Sequence, residues 1–215
     1  MILYWVLLLV TALIAYFFGS LDVMVISSNF IFHRSLYKLG KSGAWLSNFR
    51  RVYGIGGFIR LLLVELVRDA VPILIGGLLL SVNDHAVVGR AFAGFCLVLG
   101  RLYPIFYSFR GSHAILCLVV SAFFVDASVG AAALVMLVLV TLVSRFLSLG
   151  AIVGAATCAV VAVMVLDDTL LMRLVIFSAA LVLIKHIPAL IRIFKGVEPK
   201  LSLQEDITYK LDDKF

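Results

Sequence analysis

Long runs without a single charged side chain recur along this chain, and they decide its solvent before anything else does. Residues 2–19, 127–143 and 146–166 contain no Asp, Glu, Lys or Arg. A helix crossing about 30 Å of hydrocarbon takes ~20 mostly apolar residues. Seven segments approach that pattern: 2–19, 56–81, 86–101, 113–125, 129–145, 149–166 and 169–188. Hydrophobic residues make up 64% of the 215 and charged ones only 14%, against roughly 45–50% and 25% in soluble domains. Such a chain lacks the polar surface to cover a water-exposed body. The expected fold class is all-α, a polytopic transmembrane bundle of about seven helices. The first run has no basic segment before it and a further apolar stretch after it, so it reads as a retained helix rather than a signal peptide.

The connections between the runs sort by charge. Basic residues gather in 33–51 (His33, Arg34, Lys38, Lys41, Arg50, Arg51), in 101–113 (Arg101, Arg110, His113), at Arg145, and from Lys185 onward with Arg192, Lys195 and Lys200. The alternate connections hold Asn83, Asp84 and His85, then Asp126, then Asp167 and Asp168. Lys- and Arg-rich loops stay on the cytoplasmic side. The alternation therefore predicts an N-terminus outside and a cytoplasmic C-terminus. Residues 1–198 form one transmembrane domain and 199–215 a polar cytoplasmic tail. The net charge of +6 fits topology and contact with anionic headgroups or substrates; no nucleic-acid motif accompanies it. Cys96, Cys117 and Cys158 lie inside apolar runs, with spacing for neither zinc nor a disulfide framework, and read as small packing residues. No metal or cofactor is expected. A transporter or channel would favour an inverted repeat or paired broken helices, and neither is visible.

A few polar groups stand out against this background. Glu65, Arg68 and Asp69 fall within the second apolar segment. Glu65 and Arg68 are three residues apart and so share a helix face. They form a structural ion pair, line a substrate cavity, or mark a helix that begins deeper than drawn. In RLYPIFYSFRGSH, Pro104 and Gly111 interrupt the helix between Arg101, Arg110 and His113. This is either an anion site made of free N–H groups and arginines or an ordinary basic loop. Ser144, Arg145 and Ser148 lie between two apolar runs, where an arginine with hydroxyl neighbours suits a phosphate. Gly150, Gly154, Ala155 and Ala156 read as helix-packing positions. His186 is placed at a helix end, as a cap or as a base.

Taken in order, these segments resemble the bacterial glycerol-3-phosphate acyltransferases that use acyl-phosphate as donor, the PlsY family. The family motif Gly-Ser-Gly-Asn-x-Gly-Ala-x-Asn-x-x-Arg meets GKSGAWLSNFRR here, with Gly40, Asn48 and Arg51 in register. Without gaps Lys41 takes the serine position; a one-residue gap restores Ser42 and Gly43 as the Ser-Gly pair. Asp-x-x-Lys-Gly meets Glu65, Arg68 and Asp69. Gly-His-x-x-Pro-x-x-x-x-Phe-Lys-Gly-Gly-Lys-Gly meets GRLYPIFYSFRGSHA: Gly100, Pro104, Phe109 and Gly111 match and Arg110 replaces a lysine. Arg101 stands for the histidine, and Ser112, His113 and Ala114 for Gly-Lys-Gly. Arg-x-x-Ser-Leu-Gly is intact as RFLSLG, from Arg145 to Gly150. His-Arg-x-Asn-Ile keeps His186 but carries Ala189 at the asparagine, and Gly196-x-Glu198 survives.

The resemblance implies a seven-helix bundle in the bacterial cytoplasmic membrane, with a site opening to the cytoplasm. It implies transfer of an acyl group from acyl-phosphate, a co-substrate, to glycerol-3-phosphate or a related phosphorylated acceptor. Asn48, Arg51, Arg68, Arg101, Arg110, Gly111, His113, Arg145 and Ser148 would form the phosphate-binding set, with His113 partly standing in for the lost lysine. His186 and Glu198 would organise the acceptor, and Ser42 or Ser47 would supply the first-loop hydroxyl. The partners are the lipid bilayer, donor and acceptor. The altered positions keep a second reading open: a non-catalytic paralogue acting as a lipid-binding or scaffolding subunit beside a membrane protein partner.

Overall fold

The computed structural model describes residues 2–23, 45–109, 111 and 114–198, with backbone alone over 45–53. Among these residues seven α-helices follow one another, and no strand. They are α1 (Ile2–Ser20), α2 (Trp45–Ser81), α3 (Ala86–Leu102), α4 (Ile115–Val125), α5 (Ala127–Ser144), α6 (Leu147–Val165) and α7 (Thr169–Phe194), with a 3-10 turn, Ile105–Tyr107, between α3 and α4. The all-α multi-pass bundle read from the apolar runs is what the chain forms. Five helical spans are long and apolar enough to cross a membrane: α1, α3 with its following turn, α5, α6 and α7. Large side chains such as Trp5, Leu13, Val143, Met164 and Phe177 are exposed along them. Lipid, not water, is the solvent that tolerates such a surface.

Small residues set the packing. Between helices in lipid the hydrophobic effect supplies no drive, so close van der Waals approach has to. α3 is the hub, touching α1, α2, α4 and α7. α1 buries Thr11, Ala15 and Gly19, a stripe at i, i+4 spacing. A Cβ on Gly19 would fall 2.3 Å from the Leu97 carbonyl oxygen, and one on Gly100 2.3 Å from that of Tyr16. α1 and α3 therefore meet backbone to backbone. Gly150 and Gly154 play the same part between α5 and α6, against Thr141 and Ala133. Ala155 is buried with them, whereas Ala156 is exposed; the packed face of α6 runs through Ala151, Ala155, Cys158 and Ala162. All three cysteines are buried and free, as their apolar settings suggest.

Element boundaries follow local chemistry. Asp126 caps α5 by accepting from the N–H groups of Ser128 (2.8 Å) and Val129 (3.3 Å), and Asp168 caps α7 through Leu170 (2.7 Å) and Leu171 (3.3 Å). The loop aspartates thus satisfy orphan helix donors. α7 runs through Pro188 to Phe194 instead of ending at 188, because a Schellman turn closes it: Val197 N–H bonds Arg192 C=O and Gly196 N–H bonds Ile193 C=O, both at 3.0 Å. α2 begins at Trp45, not 56, and is broken at Gly54, whose φ of 69° and ψ of −176° belong to a region essentially restricted to glycine.

α4 departs most from expectation. Its 11 residues span only about 16 Å, half the hydrocarbon thickness. The helix is walled in by α2, α3, α5, α6 and α7. Before it, the described residues form a 3-10 turn, Ile105–Tyr107, followed by Ser108 and Phe109 in the left-handed region. Non-helical backbone at membrane depth persists where it is enclosed by protein or lines a watered cavity. The region beyond the N-terminus of α4 is therefore the candidate position for a site.

Candidate active site at the basic end of the bundle

A buried charge cluster lies just inside that end. Arg68 Nε donates to Asp69 Oδ1 at 2.9 Å, and its Nη1 donates to the Leu21 carbonyl at 2.8 Å, just past the end of α1. Arg101 Nη2 donates to Glu65 Oε1 at 2.8 Å, and its Nη1 lies 3.6 Å from Asp22 Oδ1. The Cys117 sulfur is 3.4 Å from both Asp69 Oδ1 and Arg68 Nη2. Asp69 is 0% exposed, Glu65 2%, Arg101 3% and Arg68 6%. The pairing differs from the shared-face pair expected of Glu65 and Arg68. Arg101 of α3 reaches Glu65 directly, and Arg68 turns to Asp69 and to the Leu21 carbonyl just past the end of α1. In low dielectric each charge has found a partner.

Beyond the cluster, the turn between α5 and α6 places Arg145 in the left-handed region, φ 60° and ψ 16°. That is uncommon for a non-glycine residue and marks strain held in place by its surroundings. The Arg145 side chain is exposed, with no ion pair among the described residues. One turn on, Ser148 Oγ donates to Glu198 Oε1 at 2.5 Å, while Arg192 Nε donates to Glu198 Oε2 at 2.6 Å. The Schellman turn brings Glu198 back to this point. His186 is 1% exposed, and its Nδ1 lies 2.8 Å from the Val182 carbonyl. A carbonyl can only accept, so Nδ1 carries the proton, and in the neutral ring Nε2 is the lone-pair acceptor. The Glu198 carboxylate is close enough to act electrostatically on the same ring.

The segment after α3 is pinned from three sides. Tyr16 donates its hydroxyl to the Tyr103 carbonyl at 2.7 Å. Phe106 meets Phe17 edge to face at 5.7 Å. Gly111 lies so close to the end of α3 that a Cβ would fall 2.1 Å from the Arg101 carbonyl oxygen, which only glycine permits. The N-cap of α4, Ala114, makes no side-chain cap. The positive end of the α4 dipole is thus left without a side-chain acceptor.

A family model described as Glycerol-3-phosphate acyltransferase matches residues 9–196. The chain belongs to this family of membrane acyltransferases. A relative from Thermoanaerobacter sp. (strain X514), named glycerol-3-phosphate acyltransferase, is 26% identical over 197 residues, covering 92% of this chain and 97% of the relative. One of the same name from Staphylococcus carnosus (strain TM300) is 27% identical over 201 residues, covering 88% and 96%. The crystal structure of PlsY (YgiH), an integral membrane glycerol 3-phosphate acyltransferase in its glycerol 3-phosphate form, superposes with a TM-score of 0.76 at 20% identity, over 91% of this chain and 96% of that one. The same fold is therefore present, and the chain is a multi-pass protein of the bacterial cytoplasmic membrane.

Within this family fold, Ser148 and Glu198 are in contact, Arg145 lies one turn before Ser148, and His186 is within electrostatic reach of Glu198. Gly111 packs on the end of α3, against the Arg101 and Leu102 carbonyls. Arg68 and Arg101 lie deeper, engaged by carboxylates. Ser47, Asn48 and Arg51 lie in the first turns of α2, before Gly54, and their side chains are outside the described set; Ser42, Arg110 and His113 lie outside the described residues altogether. Sequence reasoning missed Asp22 and Arg192 as partners. Asp22 is distant in sequence from Arg101, and Arg192 meets Glu198 only because the helix is closed by Gly196. The Gly-x-Glu spacing was the one available signal for that turn.

Proposed function

We propose that this chain transfers an acyl group from acyl-phosphate to glycerol-3-phosphate or a related phosphorylated acceptor, in glycerophospholipid synthesis. The observation that carries the reading is the Ser148–Glu198–Arg192 knot, with exposed Arg145 one turn before Ser148 and His186 within electrostatic reach of Glu198. Arg145, with Arg51 and Arg110, clamps phosphate; His113 assists. Arg68 and Arg101 hold helices together. Glu198 has both oxygens engaged, so it aligns α6 and α7 rather than taking a proton. The acceptor hydroxyl attacks the acyl carbonyl, the bond from carbonyl carbon to phosphate oxygen breaks, and inorganic phosphate leaves. The hydroxyl proton passes to a base, for which His186 Nε2 is the candidate. Ser42 or Ser47 supplies a first-loop hydroxyl. No cofactor enters the scheme. The charge alternation puts the site on the cytoplasmic side, with the N-terminus outside and the C-terminal tail inside.

The test offers acyl-phosphate and glycerol-3-phosphate to purified protein in a lipidic phase and follows phosphate release, with Arg145→Ala as control. Turnover lost in the variant supports the site; unchanged turnover removes Arg145 from it. A second reading, a non-catalytic lipid-binding or scaffolding subunit, is favoured by one observation: Ala189 is buried at 2% exposure, so the family's asparagine amide has no counterpart there. Folded protein that co-purifies with lipid and shows no turnover supports that reading.

A further inference from the structure

Lys185 is the charge that the site leaves unexplained. Its place among the basic tail residues suggests a topology marker, but the structure puts it inside α7, half-buried, well before the helix ends at Phe194. A lysine at membrane depth is costly and ordinarily faces a carboxylate or a polar cavity. Lys185 has no carboxylate partner: the ion pairs among the described residues are Arg68–Asp69, Arg101–Asp22, Arg101–Glu65 and Arg192–Glu198. Its ammonium sits over the Tyr103 ring instead, 4.5 Å from the centroid. A ring face meets one side of an ammonium that carries three donors. The Tyr103 backbone that carries the ring is anchored by the Tyr16 hydroxyl, which donates to its carbonyl at 2.7 Å. A cation is thus held at the junction of α1, α3 and α7, next in sequence to His186 and against the first residue of the irregular segment.

That segment continues into exposed Ile105, Phe106 and Phe109, with Phe106 seated on Phe17 of α1. A cation beside an apolar ledge open to lipid matches a ligand with a phosphate at one end and an alkyl chain at the other. We propose that Lys185 is a phosphate-binding residue whose ligand is the terminal phosphate of the chain-bearing donor, an acyl-phosphate mixed anhydride, not the water-soluble acceptor. The inference deepens the acyl-phosphate reading above and rests on it for the identity of the donor. A membrane lipid headgroup shares the phosphate chemistry, so the experiment separates the two.

Dodecyl phosphate carries no transferable acyl group and serves as the probe. Its affinity for the purified full chain in nonionic detergent is compared among the parent, Lys185→Gln and Lys185→Arg, alongside glycerol-3-phosphate affinity and thermal midpoint. The expected result is at least a tenfold loss for dodecyl phosphate in Lys185→Gln, most of it restored in Lys185→Arg, with glycerol-3-phosphate affinity and midpoint unchanged. A parent that does not bind dodecyl phosphate overturns the proposal. So does equal affinity in Lys185→Gln, or a loss common to both variants with a lowered midpoint, which marks a packing role over Tyr103. In nanodiscs, loss of phosphatidylglycerol retention alone makes Lys185 a headgroup anchor and also overturns it. Binding needs no turnover: a chain that holds dodecyl phosphate through Lys185 yet transfers nothing fails the acyltransferase reading and keeps this one.

Discussion

Replacing Arg101 by leucine separates a structural role from a ligand role. Arg101 is 3% exposed and joins α3 to Glu65 of α2 at 2.8 Å and to Asp22 at 3.6 Å. Its removal leaves Glu65, itself 2% exposed, as a buried carboxylate without its closest cation. Breaking one side of a buried pair costs about 3–5 kcal/mol. The neighbouring Arg68 guanidinium still acts on Glu65, so the lower end, about 3 kcal/mol, is expected. At ~2–4 °C per kcal/mol for a chain of this size, the thermal midpoint in detergent should fall by roughly 6–12 °C. Glu65→Leu combined with Arg101→Leu removes both charges, and replacing a buried pair by apolar residues is often neutral. The double variant should therefore lie within about 1 kcal/mol of the parent, the Asp22 contact being partly exposed and worth less than that. The assay is the soluble fraction by size exclusion after stepped heating. A double variant that melts as low as the single one refutes the pairing argument. A single variant of parental stability that has lost phosphate affinity refutes the assignment of Arg101 to the bundle.

Gly196→Ala forces a side chain onto φ +69°, at about 1–2 kcal/mol; turnover should fall as Glu198 leaves Ser148, and Gly196→Asn should be milder. Equal activity in both would disconnect the turn from the site. Gly54→Ala should cost about 1–3 kcal/mol, visible as a lower midpoint; parental stability would mean that the break at Gly54 relaxes freely. Asp126, held below the ordinary carboxylate value by hydrogen bonds from Ser128, contributes to stability above the unfolded value near 3.8 and loses that contribution as pH falls through its lower folded value. Asp126→Ala should thus lower the midpoint at pH 7 by the equivalent of about 0.5–1 kcal/mol. The difference from parent should vanish in the acid range below the folded value, and persistence there would show that the cap does not act through its charge.

The bundle was legible because its signal is one-dimensional. Apolar run length does not depend on what the runs touch, so α1, α5 and α6 lie within a few residues of their expected bounds. What depended on a second element was not legible. α4 has the composition of a span and the length of half of one, and the breakers before it, Pro104 and Gly111, are equally compatible in sequence with an anion site or an ordinary basic loop. α7 passes Pro188 because its end is set by Gly196. Glu65 and Arg68 were matched by helix spacing, although a guanidinium from α3 was the nearer partner in space. Motif positions such as Arg145 and Ser148 could be named in advance, while the contact that makes Ser148 meaningful, with Glu198, required the Schellman turn.

The cluster bears on how the departures from the family's motifs should be weighed. The family pattern on α2, Asp-x-x-Lys-Gly, together with the histidine of the α3 motif, amounts to one acid, one base and an imidazole. Here the α3 position is Arg101, which adds a positive charge, and the glycine position is Asp69, which adds a negative one to the same buried group. Either change alone would strand a charge in low dielectric, at several kcal/mol. Together they restore neutrality, and both are seen paired, Arg101 with Glu65 and Asp69 with Arg68. Decay of an unused site gives no reason for two such changes to balance, whereas continued demand for a stable bundle does. Balance within the cluster therefore speaks for a maintained fold but not, by itself, for maintained chemistry. The same logic does not reach Ala189, which is buried at 2% exposure with no amide in the asparagine's place. On the proposed acyltransferase reading, catalytic competence turns on Arg145, His186 and Lys185, not on the number of motif letters that survive.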